Sequence, residues 1–135
     1  MKASDLSFRA AVLMVIAGMI WGLVMGITQD HSTMPAHAHL NLLGWVSLFL
    51  FGIYYHLHPA LDVGRLAKVQ VWIWITATVV LTIGIALIHS GRSAGAPVAI
   101  VSSLIVLADM VLFASLVFRF TPAEVTARRS TQPAE

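Results

Sequence analysis

Polar residues punctuate this chain at few places, and the stretches between them are long and almost wholly apolar. Four such runs can be drawn, at about 8–27, 37–57, 66–88 and 97–118. Each offers about 20 apolar residues, enough at 1.5 Å per residue to cross a hydrocarbon core of about 30 Å. The connections are short, which predicts antiparallel sequential neighbours. The pattern therefore predicts an all-α fold, an integral membrane four-helix bundle over residues 1–120. Residues 121–135, TPAEVTARRSTQPAE, are polar and interrupted by proline, and read as a disordered cytoplasmic tail. Lys2 and Arg9 ahead of the first run give it a signal-peptide look. Its length, and the lack of a small-residue cleavage site before Thr28-Gln29-Asp30, favour a retained helix.

Composition agrees with this pattern. Hydrophobic residues make up 59% of the chain and charged residues 10%, with a mean hydropathy of +0.87. A soluble domain carries about a quarter charged residues. The formal net charge of +2 comes from a few loop and tail cations and gives no reason to expect nucleic-acid binding. Cysteine is absent, which excludes disulfides, thiolate-held zinc, iron–sulfur clusters and thioether-linked haem. The side chains left in quantity for metal ligation are six histidines and six methionines.

The cations also set an expected orientation. Lys2 and Arg9, then Arg65 and Lys68, then Arg119, Arg128 and Arg129 share one side of a four-span chain. The positive-inside rule puts that side, with both termini, in the cytoplasm of a bacterial-type inner membrane. His31, His37, His39 and His89 then gather at the outer side, and His56 and His58 at the inner side.

The second run is the most informative. It reads PAHAHLNLLGWVSLFLFGIYYHLHP, with Ser32 and Thr33 as candidate caps before it and Pro35 in its first turn. His37 and His39, two positions apart on a helix, point about 200° away from each other. They cannot easily grip one compact metal site, but they can serve two sites on opposite sides of the helix. That geometry suits iron in planar porphyrins. One face continues His37, Asn41, Gly44, Leu48, Phe51 and Tyr55; another runs His39, Leu43, Val46, Leu50 and Ile53. Gly44 and Gly52 remove bulk, so that a neighbouring helix or a flat ring can come close. Tyr54, Tyr55, His56 and His58 form an expected interfacial belt, ended by Pro59.

This segment resembles a ligand-bearing helix of the haem–copper oxidase catalytic subunit, including its nitric oxide reductase branch. The resemblance rests on HAHLNLLGW…FGIYYHLHP and covers about 25 residues. It implies that His37 ligates a high-spin haem iron and His39 a low-spin one; Asn41 and Gly44, on the His37 face, are further candidate cofactor-binding residues. The resembled subunit has twelve helices in three arcs of four, with ligands on the second helix of each. This chain would correspond to one arc, which implies a homo-oligomer, a trimer in preference to a dimer. The family's copper site needs an adjacent His-His pair, absent here, so reduction of dioxygen to water is not implied. The resulting expectation is a membrane-bound b-type cytochrome, holding haem b for electron transfer or diatomic gas binding, with its redox partner unspecified. The alternatives are a non-haem protein that binds copper or zinc, or an accessory subunit of a respiratory complex.

The other polar residues carry two readings each. His89 lies at a matching depth and could supply an opposing axial ligand, or be a solvated helix-end residue beside Ser90-Gly91-Arg92. Met14, Met19, Met25 and Met110 read as packing residues, and Trp72 and Trp74 as interfacial anchors. Asp109 lies about 12 residues, roughly 18 Å, into the fourth run. A carboxylate there costs at least a few kcal/mol unless protonated or paired. It reads either as a proton site or as a neutral acid bonded to a polar group of the third run, such as Thr76 or Thr78.

Overall fold

A computed structural model describes residues 1–119; the expected tail lies outside the described residues. The elements are α1 (Ala3–Thr28), α2 (Met34–Leu57), a short α3 (Pro59–Asp62), α4 (Arg65–His89) and α5 (Gly95–Arg119). The described residues contain no strand. Helices α1, α2, α4 and α5 are each long and apolar enough to cross a membrane, as the four runs predict. The first begins five residues earlier than its apolar run, because Ser4 and Ser7 find buried partners and extend the helix to Ala3.

Lipid is as apolar as leucine, so helix association here depends on close packing and polar bonds. The packed face of α1 is correspondingly built from small residues: Ala3, Ser4, Ser7, Ala11 and Gly18, with Met14 and Met25 between and beyond them. It lies antiparallel on α2. The Ser7 hydroxyl donates to the Leu48 carbonyl at 2.7 Å. Gly52 makes room for the Phe8 ring and Gly44 for the Met14 side chain; a Cβ at Gly44 would sit 2.5 Å from Met14 Sδ. Towards the other end, Gly18 faces Asn41 and Gly22 faces His37.

Helix α2 is not one regular α-helix. Residues Leu40–Ser47 form a π segment between two α-helical parts. Ala36, Leu40, Gly44 and Leu48 are all buried on its packed side. Three successive steps of four residues would drift about 120° on an α-helix, at 100° per residue. The wider π turn keeps the four in one row. Beyond it the α-helical spacing resumes through Phe51, Gly52 and Tyr55.

Helix α4 is the most buried of the four spans and lies between α2 and α5. It crosses α5 at very short range near one end, where a Cβ on Gly84 would fall 2.7 Å from the Ala99 amide nitrogen. The turn between them closes on Gly91 at φ +75°, with the Arg92 amide bonded to the Leu87 carbonyl at 2.9 Å. This is the left-handed ending that glycine permits at a helix C-terminus. At the opposite end, Phe113 of α5 reaches across to α2, with ring centroids 4.3 Å from Phe51 and 5.9 Å from Tyr55.

Candidate functional site

The antiparallel packing gathers His31, His37, His39 and His89 at one end of the bundle, with the loop at 29–33 and the turn at 90–94. His56 and His58 lie at the other end, with Lys2, Arg65 and Arg119. The backbone thus reproduces the expected grouping of the histidines. What it does with each ring differs.

His37 turns into the bundle. Its ring lies against α1 at Gly22, where a Cβ would come within 3.1 Å of Cε1. The Asn41 amide nitrogen lies 3.4 Å from Nδ1 and 3.3 Å from Nε2, and donates to the His37 carbonyl at 2.9 Å. Asn41 is itself pressed on Gly18, with its Oδ1 2.5 Å from where a Cβ would be. The His37–Asn41 pair therefore fills a notch that two glycines of α1 leave open. Gly44, expected beside a ring ligand, is filled by Met14.

His39 turns the other way. Its Nδ1–H donates to the Pro35 carbonyl one turn back, at 2.7 Å. In a neutral ring that bond puts the proton on Nδ1 and the lone pair on Nε2, the arrangement of a metal-ligating imidazole. The surface that continues from it along α2 carries Leu42, Trp45 and Val46, all exposed in the single chain. His89 makes the same kind of bond, Nδ1 to the Ile85 carbonyl at 2.9 Å, and is exposed at the end of α4. His58 does so with the Tyr54 carbonyl at 2.7 Å and stacks on the Tyr54 ring at 4.2 Å. Among the described residues, no three His, Asp or Glu side chains come together as a metal-holding group.

Several sequence expectations need correction. Thr33 stands at the N-cap of α2, but its hydroxyl caps nothing there; it accepts the Trp21 indole N–H at 3.1 Å and ties α1 to the loop. Trp74 is no interfacial anchor. It is 1% exposed, and its indole donates to the Leu43 carbonyl at 2.9 Å, inside the π segment. Tyr55 leaves the expected aromatic belt as well, being fully buried.

The partner of Asp109 is neither Thr76 nor Thr78. Gln70 Nε2 donates to Asp109 Oδ2 at 2.7 Å, and Gln70 Oε1 accepts the Tyr55 hydroxyl at 2.8 Å. Tyr55, Gln70 and Asp109 are 0%, 0% and 3% exposed, a polar chain through α2, α4 and α5. Thr76 bonds back to the Trp72 carbonyl instead. Gln70 was the residue that sequence reading missed. The available signal was an uncharged amide one turn inside the apolar run, on the Trp74–Thr78–Leu81 face.

An open apolar groove of about 690 Å³ runs between α4 and α5, lined by Trp72, Val80, Pro97, Val101 and Ile105 among others. No imidazole faces it. No family model matches this chain, and neither a curated protein nor a solved structure is similar enough to count as a relative.

Proposed function

We propose that this protein is a membrane cytochrome that holds haem b through His39, in a site shared between copies of the chain. One observation carries it: the His39 Nδ1–H is committed to the Pro35 carbonyl, and the half-buried ring adjoins Leu42, Trp45 and Val46, which the chain's own helices leave exposed. A porphyrin needs an apolar wall on each side of its plane. Leu42, Trp45 and Val46 would supply apolar contacts to such a group, and a second copy would cover the rest. His39 would thus be the residue that holds the iron.

His37 fits less well, since its ring is wedged between Gly22 and Asn41. Its role is to lock the His-bearing end of α2 against α1, which fixes the direction of His39. His89 makes the same backbone bond as His39, at the same end of the bundle, and would be the second residue to hold the group. Bound haem would supply reversible one-electron chemistry or a site for a diatomic gas. The protein's part is to bind the iron, orient the ring and exclude water from its faces. A zinc site takes three or four protein ligands, and among the described residues no three His, Asp or Glu side chains come together.

A closed ring of identical contacts would complete every site without leaving an unmatched face. Three copies, with α2 at the centre, is the arrangement we propose. A visible absorption spectrum of the purified protein tests the cofactor. His39→Ala should abolish the haem bands, and His56→Ala, about 25 Å away by helix rise, should keep them. Full haem content in His39→Ala would overturn the assignment; bound copper or zinc without haem bands would replace it. Native mass spectrometry in mild detergent tests the sharing, and a haem-loaded monomer would defeat it.

A further inference from the structure

The Tyr55–Gln70–Asp109 chain plays no part in the proposed haem site and lies toward the opposite end of α2. Both of its hydrogen bonds are donated in one direction: Tyr55 O–H to Gln70, then Gln70 N–H to Asp109 Oδ2. An amide oriented in this way can stabilise negative charge on the carboxylate, and the phenol behind it strengthens the amide's polarity. The environment as a whole does the opposite. Asp109 is 3% exposed within an apolar span, where an unpaired ion is very costly.

The second oxygen decides between a structural acid and an exchanging one. A neutral acid kept only to tie helices together would spend its O–H on an acceptor. Asp109 Oδ1 has no hydrogen-bond partner. The other buried side-chain atoms in that condition among the described residues are Thr78 Oγ1 and Thr82 Oγ1 on α4. The close contact of Gly84 with Ala99 sets the register of the two helices. Counting about 10 residues from that contact along each helix brings Asp109 level with Trp74, about one turn from Gln70 on one side and from Thr78 on the other. Asp109 Oδ1 and Thr78 Oγ1, both buried and without a partner, therefore lie within about one turn of each other in depth. Such groups in a native interior call for an explanation.

We infer that Asp109 is a reversible proton-binding site within the membrane, its proton carried on Oδ1 and its anion held by the oriented Gln70–Tyr55 pair. The ligand is the proton itself: it leaves hydronium or water and joins Asp109 Oδ1, and no electron moves. Gln70 and Tyr55 are positioning residues, because an amide does not pass protons readily. The surrounding elements leave Asp109 almost without competitors. Tyr55 of α2 is the titratable group that reaches it, through Gln70, with Tyr54 adjacent. No ionisable side chain lies between Arg9 and Thr28 on α1, between Lys68 and His89 on α4, or elsewhere on α5 before Arg119.

Infrared difference spectroscopy of the full chain in detergent, titrated from acid to alkaline pH, tests this directly. The expected result is a carboxyl C=O band that appears and disappears reversibly, shifts in D₂O and is absent from Asp109→Asn. Asp109→Glu, which keeps a carboxyl group and moves the frequency, identifies the band if Asp109→Asn does not fold. Gln70→Leu should displace the band's pH midpoint by about one unit or more, since a hydrogen bond to a charged group is worth at least that. A band that persists at every pH would mean a locked structural acid, and no band at any pH a permanently ionised one. Either overturns the proposal, and neither bears on the haem reading.

Discussion

Asp62 caps the start of α1 from a distant part of the chain. Its Oδ1 accepts the Ser4 amide at 2.7 Å and its Oδ2 the Ser4 hydroxyl at 2.9 Å, and both residues are buried. The first amides of any helix lack intrahelical partners, and a carboxylate there also meets the positive end of the helix dipole. Asp62 closes α3, and α3 exists because Pro59 ends α2 and restarts a single turn. A loop of a few residues thereby ties the second span to the first.

Asp62→Ala should therefore destabilise the protein by about 1–2 kcal/mol, the usual range for loss of a helix cap, and more if the Ser4 donors stay dry. Thermal unfolding in detergent, followed by helical circular dichroism, reads the loss. Asp62→Asn should recover part of it, since an amide oxygen can still accept one of the two bonds.

The buried polar chain makes a prediction about coupling. Gln70→Leu strands both the Tyr55 hydroxyl and Asp109 Oδ2, whereas Tyr55→Phe strands only one amide oxygen. Gln70→Leu should cost about 2–4 kcal/mol and Tyr55→Phe about 1–2 kcal/mol. The double variant should cost less than the two together, because once Gln70 is gone the hydroxyl is a liability. Strict additivity in a double-mutant cycle would mean the three side chains act independently.

Gly18→Ala should cost about 1–3 kcal/mol, the range for overpacking. The new methyl would overlap Asn41 and, through it, disturb His37. Gly26→Ala is the control, since its Cβ meets nothing within 4 Å. The comparison also reads on His39. A Gly18→Ala protein that folds but binds less haem would link the α1 notch to the ligand's aim.

In the loop before α2, the Ser32 backbone amide donates to Asp30 Oδ1 at 2.9 Å, and that bond holds the Asp30 carboxyl below the usual carboxylate range. Asp30 is fully exposed, so the effect is local. A depressed folded-state value means that the ionised form favours the folded loop. The loop's order should be complete above the ordinary aspartate range and fade as pH falls through the lowered value. The Ser32 amide chemical shift, followed by NMR across acid pH, should titrate in that window and lose its titration in Asp30→Asn.

Span positions, the all-helical class and the gathering of four histidines at one end were legible because they depend on hydropathy and on chain reversal. The split between His37 and His39 was legible too, since a two-residue offset on a helix opposes two side chains whatever surrounds them. Asp109 stood out as an anomaly, yet its partner did not, because Gln70 and Thr78 share one face of α4 and only the depth of α5 against it selects between them. Trp74 was misread for a similar reason. An indole suits either an interface or a buried carbonyl, and the acceptor that buries Trp74, the Leu43 carbonyl, lies in the π segment. Nothing in a single sequence announces that segment, since LNLLGWVS is as apolar as an ordinary spanning α-helix.

The same π segment governs how the chain could tolerate changes in length. A regular helix that loses one residue rotates everything beyond the loss by about 100° and moves it 1.5 Å along the axis. In α4 such a deletion would separate Gln70 from the face shared by Thr78 and Thr82. Between Leu40 and Ser47 the helix is already wound wide, so one residue could be removed and the turns tightened to ordinary α geometry. The ends of α2, with His39 at one and Tyr55 at the other, would then keep much of their relative aim. Of the four spans, α2 carries slack within its own winding.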